Sequence, residues 1–116
     1  MQEVSFRLVN DLDQLSRMRV HIDLDEIGDG ELYFDLYARV VNPHGYKLVG
    51  VLDVESPLPG SENKANRFEL ESGHEQPMGR WRLTSARDVL IINAETEPAL
   101  PSGVVTFEFH AIPVAD

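Results

Sequence analysis

The sequence predicts an all-β protein: a single-domain antiparallel β-sandwich of about seven to eight strands, immunoglobulin-like or jelly-roll-like, with a small β-barrel as the alternative. Apolar and polar residues alternate with a period of two in many short segments, which is typical of strands with one dry face and one wet face. Glycine and proline turn signals separate these segments. The chain has 116 residues and no cysteine, so residues 1–116 suit one domain with one core and no disulfides.

The first three strands are predicted at residues 4–8, 17–25 and 32–40, because apolar side chains occupy every second position in each. A short helical turn is expected between the first two strands, near residues 11–16. Asp11 is followed three positions later by Gln14, which is the spacing of a capping box. We expect at most one or two helical turns there.

Five further strands are predicted at residues 46–55, 67–71, 80–85, 88–94 and 104–112. Longer loops are expected at residues 56–66 and 72–79, since both contain proline and small or polar residues. Trp81 is the only tryptophan and shares its strand face with Leu83. We therefore predict that Trp81 anchors the core.

Two of the predicted strands contain segments that are apolar on both faces, at residues 48–52 and 89–92. A sheet with one wet face would leave several of these aliphatic side chains in water. We expect a long loop or the short helical segment to cover them. The alternative is an interface with a partner or with a second copy of the chain, since contiguous exposed apolar patches usually mark one. A homodimer is therefore one of the arrangements that the sequence allows.

The charge of the chain bears on its partners. Acidic residues number 20 and basic residues 10, which gives a net charge of -10. Nucleic-acid-binding faces use clustered lysine and arginine, and the lysines here are Lys47 and Lys64 alone. We expect no direct contact with nucleic acid, and the charge favours a basic protein as partner.

The sequence also bears on the cellular location of the protein. No apolar run approaches the roughly 18 residues that span a bilayer, and residues 1–8 carry Glu3 and Arg7 where a secretory signal has an apolar stretch. We expect a cytoplasmic protein with no membrane contact.

The sequence holds no G-x-S-x-G elbow, no glycine-rich phosphate loop and no H-E-x-x-H pattern. We predict a non-enzymatic protein without a cofactor.

An acidic tip is expected between the second and third strands. We define it as Asp23, Asp25, Glu26, Asp29 and Glu31. Its first part fits a calcium-binding EF-hand loop, but Ile27 and Phe34 stand where that loop needs ligands, so no metal site is predicted. Two alternatives remain open for this segment: calcium-assisted binding of a ligand or carbohydrate, and an inhibitor whose carboxylates occupy a basic nucleic-acid-binding surface of another protein.

The third strand offers a different kind of contact surface, which we call the tyrosine strip: Tyr33, Asp35, Tyr37 and Arg39. These side chains alternate with the apolar set and should share one exposed face. Tyrosine and arginine are enriched at protein interfaces, so the strip predicts a site for a protein partner. If residues 17–25 pair with 31–39 as a hairpin, Arg17, Arg19 and His21 lie beside it. The leading hypothesis is a protein-interaction module with a structural or adaptor role.

Overall fold

A computed structural model describes residues 4–16, 18–21, 32–42, 45–56, 65–84, 87–100 and 103–114. Within these ranges eight strands form: β1 (Val4–Asp11), β2 (Met18–His21), β3 (Leu32–Asn42), β4 (Lys47–Glu55), β5 (Asn66–Glu71), β6 (Gln76–Leu83), β7 (Val89–Glu97) and β8 (Val104–Pro113). A 3-10 helix, Leu12–Gln14, follows β1. The all-β prediction is confirmed.

The strands form two antiparallel four-stranded sheets. The first sheet has the order β1-β8-β3-β6, and the second has the order β2-β7-β4-β5. Because the strands divide into two separate sheets, the architecture is the predicted sandwich and not the closed barrel.

Alternation along each strand fills the space between the sheets. In β3, Phe34, Leu36, Ala38 and Val40 are at most 1% exposed, and the residues between them face solvent. The predicted core position of Trp81 is confirmed, since its side chain is 2% exposed and its Nε1 donates to the carbonyl oxygen of Met78 at 2.9 Å. That bond satisfies the polar atom that a buried indole carries into the core.

The predicted helical turn is present as the 3-10 helix. The backbone N–H of Asp11 donates to Oε1 of Gln14 at 3.2 Å, as the sequence spacing indicates. Leu15 is buried in the core, and its carbonyl accepts a 3.0 Å hydrogen bond from the backbone of Ala94 in β7. The helix therefore carries the chain from the first sheet to the second. It packs against the core and not on the outer face of the apolar strands, where we expected it as one possible cover.

The hairpin of residues 17–25 with 31–39, on which the placement of Arg19 and His21 beside the tyrosine strip depended, does not form in the described part of these segments. β2 pairs with β7 in the second sheet, whereas β3 lies between β8 and β6 in the first. The crossing at Leu15 places β2 beside β7 before the chain reaches β3. Alternation defines which face of a strand is buried, but it carries no information about which strand lies next to it.

The loop predicted at residues 72–79 is shorter than expected, because β6 begins at Gln76. Pro77 and Gly79 lie inside β6, and Gly79 has a positive φ of 96°. β6 is at the edge of its sheet, where a missing N–H is tolerated, and its pairing with β3 shifts between Asp35 and Tyr37. The turn residues that predicted a loop form an irregular edge strand instead.

Candidate functional site

The tyrosine strip lies on the outer face of the first sheet. β3 has neighbours on both sides, and all four residues of the strip alternate with buried core residues. Tyr33 is the most open of the aromatic members, with 45% of its surface exposed. The strip is therefore a row of polar and aromatic side chains on a strand that is hydrogen-bonded to β8 and β6 and packs on the core with its opposite face.

Asp35 forms an ion pair across to β6. Nε of Arg80 donates to one carboxylate oxygen at 2.8 Å, and Nη2 donates to the other at 3.2 Å. The two residues are register partners in the antiparallel pairing of β3 and β6. The hydrogen bond from Arg80 lowers the pKa of Asp35 below its usual 3.8, and burial opposes that shift only in part. Asp35 is thus held in its charged form with a fixed orientation.

Arg39 forms the matching pair on the other side of β3. Its Nη2 donates to both carboxylate oxygens of Glu108 in β8, each at 3.2 Å. Nε of Arg39 is buried and has no hydrogen-bond partner in the described part of the chain. The guanidinium is therefore oriented by Glu108 while one of its donors stays unused.

Tyr37 lies between these two ion pairs and contacts His110 of β8. The two ring centroids are 6.4 Å apart, with the planes tilted by 52°. Nδ1 of His110 is 4.0 Å from Oε2 of Glu75, in the loop that precedes β6. The strip thus continues sideways into an aromatic and charged patch.

A shallow cleft of about 510 Å³ opens beside the strip. It is lined by Ser5, Arg7, Arg39, Glu75, Glu108, Phe109 and His110. Charges of both signs line it. A partner segment that carries both a donor-rich and an acceptor-rich group would find complementary groups there.

The two outer faces differ in charge. On the first sheet the charged residues are Arg7, Arg39, Arg80 and Arg82 against Asp11, Asp35 and Glu108, and Glu75 lies in the adjoining loop, so the two signs are nearly balanced. On the second sheet they are Arg19, Lys47 and Arg67 against Asp53, Glu55, Glu69, Glu71, Glu95 and Glu97, an excess of acid. Lys47 donates to Glu69 at 3.0 Å, and this contact raises the pKa of Lys47 above its usual value. Among the described strand residues, the excess of acid therefore lies on the second sheet, away from the strip.

The apolar side chains on the outer face of the second sheet are Val49, Val51, Val89 and Ile91. Val51 is 37% exposed and the other three are partly buried among charged neighbours. Residues 57–64, the greater part of one of the two long loops expected from the sequence, lie outside the described ranges.

A second cavity, of about 580 Å³, opens at the end of the second sheet. It is lined by Gly45, Tyr46, Lys47, Glu71, Ser72, His74, Glu97 and Pro98. Tyr46 is only 5% exposed, and burial raises its pKa to about 12. Burial therefore extends the pH range over which this phenol stays neutral to more alkaline values.

Every residue of the predicted acidic tip (Asp23, Asp25, Glu26, Asp29 and Glu31) lies outside the described ranges, as do the turns around it. Within the ranges that are described, His, Asp and Glu side chains form no group of three or more that could hold a metal ion. In the same ranges, no helix is long and apolar enough to cross a membrane.

The sequence pattern does not connect Arg7, Glu108 and His110 with the strip. The alternation of residues 104–112 does place Glu108 and His110 on a polar face. The missing information was the strand order, which sets β8 between β1 and β3 and so brings these side chains beside Tyr37 and Arg39.

Comparison of the chain with protein-family models, with curated proteins and with solved structures finds no match. The geometry of the first sheet therefore carries the functional argument alone.

Proposed function

We propose that this domain is a non-enzymatic protein-interaction module, and that it binds a protein partner through the outer face of its first sheet. The observation that carries the proposal is the tyrosine strip itself. Its four side chains share one face of a central strand whose opposite face is buried. Such a surface loses little conformational freedom when a partner binds, so more of the contact energy appears as affinity.

The ion pairs on either side of the strip support this proposal. Asp35 and Arg39 are each oriented by a partner on a neighbouring strand, at 2.8 and 3.2 Å respectively. Exposed pairs of this kind add little to folding stability. They do present charges at defined positions around Tyr37, which is how interfaces gain specificity.

The spacing of the polar residues in the cleft supports a non-enzymatic role. Ser5 and His110 are register partners, and Glu75 lies beyond His110, so the residue types of a hydrolytic triad meet in the cleft. The distance of 4.0 Å between His110 and Glu75 is longer than the hydrogen bond of about 2.6–3.2 Å that orients a catalytic base.

The test begins with capture of partners from native extract at low and at high salt. The affinity of a purified partner is then measured by calorimetry. We expect Tyr37→Ala to weaken binding by more than about 1 kcal/mol, as the loss of an interface aromatic does, and Arg39→Ala to weaken it as well. Arg67→Ala is the matched control, because Arg67 is an exposed arginine on the other sheet. Undiminished affinity for both strip variants would refute the proposal.

The second candidate is the acidic inhibitor of a basic nucleic-acid-binding surface. The observation that favours it is the excess of acid on the outer face of the second sheet. In this case binding should weaken steeply as salt rises, and Glu95→Gln together with Glu97→Gln should weaken it more than Tyr37→Ala does. Binding that changes little with salt, and depends on Tyr37, favours the first candidate.

A further inference from the structure

The edges of the two sheets differ in how well they are protected from pairing with another chain. β6 contains Pro77 and a positive-φ glycine, the part of β2 that the structure describes has four residues, and β5 exposes alternating charges. Short strands, prolines, irregularities and charges are the usual means by which proteins block an edge. β1 has eight residues, contains neither proline nor glycine, and pairs with β8 without a break. Among the described residues, no strand pairs with its other side.

Backbone groups of β1 point toward this open edge. The N–H of Leu12 donates to the carbonyl of Gly103 at 3.0 Å, one step beyond the pair Asp11 with Val104. Hydrogen-bonded residue pairs alternate with non-hydrogen-bonded pairs along an antiparallel ladder. The bond from Leu12 therefore places the even-numbered residues of β1 in the hydrogen-bonded pairs with β8. The N–H and C=O groups of Arg7, Val9 and Asp11 are then directed outward. The N–H of Asp11 is bonded there to the Gln14 side chain, a contact that a paired strand would replace.

We propose that β1 pairs antiparallel with β1 of a second copy of this chain, about a two-fold axis at Val9. In that register Arg7 of each copy lies opposite Asp11 of the other. Arg7 and Asp11 are about 13 Å apart along their own strand, and Arg7 makes no ion pair within the described residues. Val9 is 61% exposed, the largest value among the exposed large hydrophobic residues of the described ranges. Pairing covers it with its own counterpart.

Other registers about a two-fold axis lack this complementarity. An axis at Arg7 would place the two arginines against each other, and an axis at Leu8 would place Arg7 against Val9. Like charges directly opposite on neighbouring strands destabilise the pairing, whereas opposite charges stabilise it. The 3-10 helix does not continue along the edge, because the chain crosses to the second sheet at Leu15.

The dimer would form one continuous sheet of eight strands. Since the two-fold axis is perpendicular to the sheet, the two tyrosine strips face the same side. The dimer contact uses the edge of the first sheet and not its outer face, so it does not depend on the proposed function.

The first test uses the fact that the chain contains no cysteine. In the proposed register the two Val9 residues form a hydrogen-bonded pair with Cα atoms about 5.5 Å apart, a distance that a disulfide spans. Val9→Cys should therefore form a covalent dimer on mild oxidation. Ser5→Cys is the matched control on the same strand and face, since its two copies would be about 26 Å apart. Equal cross-linking of both variants, or none by Val9→Cys, would overturn the proposal.

The second test exchanges charges and uses sedimentation velocity over a range of concentrations. Arg7→Asp places carboxylates against carboxylates and Asp11→Arg places guanidinium groups against each other, so each variant alone should dimerise about tenfold more weakly than the wild type. An equimolar mixture of the two variants restores both opposite-charge contacts and should dimerise like the wild type. Circular dichroism confirms that each variant is folded.

Three outcomes would contradict the proposal. The wild type could remain monomeric at every concentration. The mixture could behave like the separate variants. The wild type could dimerise but lose its dimer on Val51→Glu and not on Arg7→Asp, which would assign the contact to the outer face of the second sheet.

Discussion

Asp35 of β3 and Arg80 of β6 are joined by two parallel hydrogen bonds, of 2.8 and 3.2 Å. They are separated by 45 positions in the sequence and lie directly opposite each other in the sheet. Both side chains are substantially exposed, with 36% and 58% of their side-chain surfaces open to solvent. The pair therefore acts less as a source of stability than as a means of holding a carboxylate in place beside Tyr37.

This geometry predicts the titration of Asp35. Its pKa should lie below 3.8, chiefly because Arg80 donates hydrogen bonds to the charged form. A lowered pKa in the folded state means that the pair stabilises the fold above about pH 4 and that this contribution is lost as the pH falls through the lowered value. Carboxyl carbon NMR on the wild type and on Arg80→Gln checks it. An Asp35 pKa that is the same in both proteins would show that the pair does not act as described.

The folding stability of the domain should be unusually sensitive to the addition of a methyl group at Gly50, in the middle of β4. A Cβ at this position would collide with the carbonyl oxygen of Asn93 and lie 2.9 Å from the Cα of Ala94. We expect Gly50→Ala to lower the free energy of unfolding by about 2 to 3 kcal/mol, since overpacking displaces β7 from β4. Chemical denaturation followed by circular dichroism measures the loss.

Gly73→Ala is the matched control for that experiment. Gly73 has a φ of 87°, but a Cβ there would have no neighbour within 4 Å. The substitution should cost only about 1 kcal/mol, the strain of a left-handed conformation for alanine. Equal costs at Gly50 and Gly73 would mean that the close approach of β7 does not restrict β4.

Truncation of Trp81 should cause the largest loss of folding stability among the substitutions proposed here. It is 2% exposed and packs inside the core, so Trp81→Ala should lower the free energy of unfolding by about 3 to 5 kcal/mol. Trp81→Phe keeps an aromatic ring in the space and loses the hydrogen bond to Met78, so it should cost about 1 to 2 kcal/mol. Urea titrations followed by circular dichroism distinguish the two. A near-native stability of the alanine variant would refute the core assignment.

The buried phenol of Tyr46 should ionise only at strongly alkaline pH. Burial raises its pKa to about 12, so the neutral phenol is favoured in the folded state. A raised pKa means that the associated stability is fully present below the ordinary value of 10.0 and is lost as the pH rises through about 12. Tyrosinate absorbance should show a late step in the wild type that Tyr46→Phe abolishes. Identical titration curves, apart from one tyrosine fewer at ordinary pH, would contradict the burial of this phenol.

The alternation in the sequence predicted the faces of the strands well. Tyr37 and Arg39 point outward and Trp81 points inward, as their positions in the pattern indicate. The reason is local: in an extended chain successive side chains alternate between faces, so a period of two in hydropathy maps directly onto burial.

The neighbours of each strand could not be predicted in the same way. β2 carries its own alternation, but nothing in residues 18–21 distinguishes pairing with β7 from pairing with β3. The same holds for Pro77 and Gly79, which are turn residues by their local conformational preferences and lie in a strand because β3 provides hydrogen-bond partners beside them.

The sequence by itself determined the class of fold, the single cysteine-free core and the exposure of the tyrosine strip, because each depends on local periodicity and composition. Only the tertiary structure decided that Arg80, Glu108 and His110 meet the strip, and that β8 is the only described strand that pairs with β1. Those facts depend on the order of strands in each sheet. Contacts between strands far apart in sequence set that order, since the free energy of the whole packed core selects one arrangement among many with the same alternation.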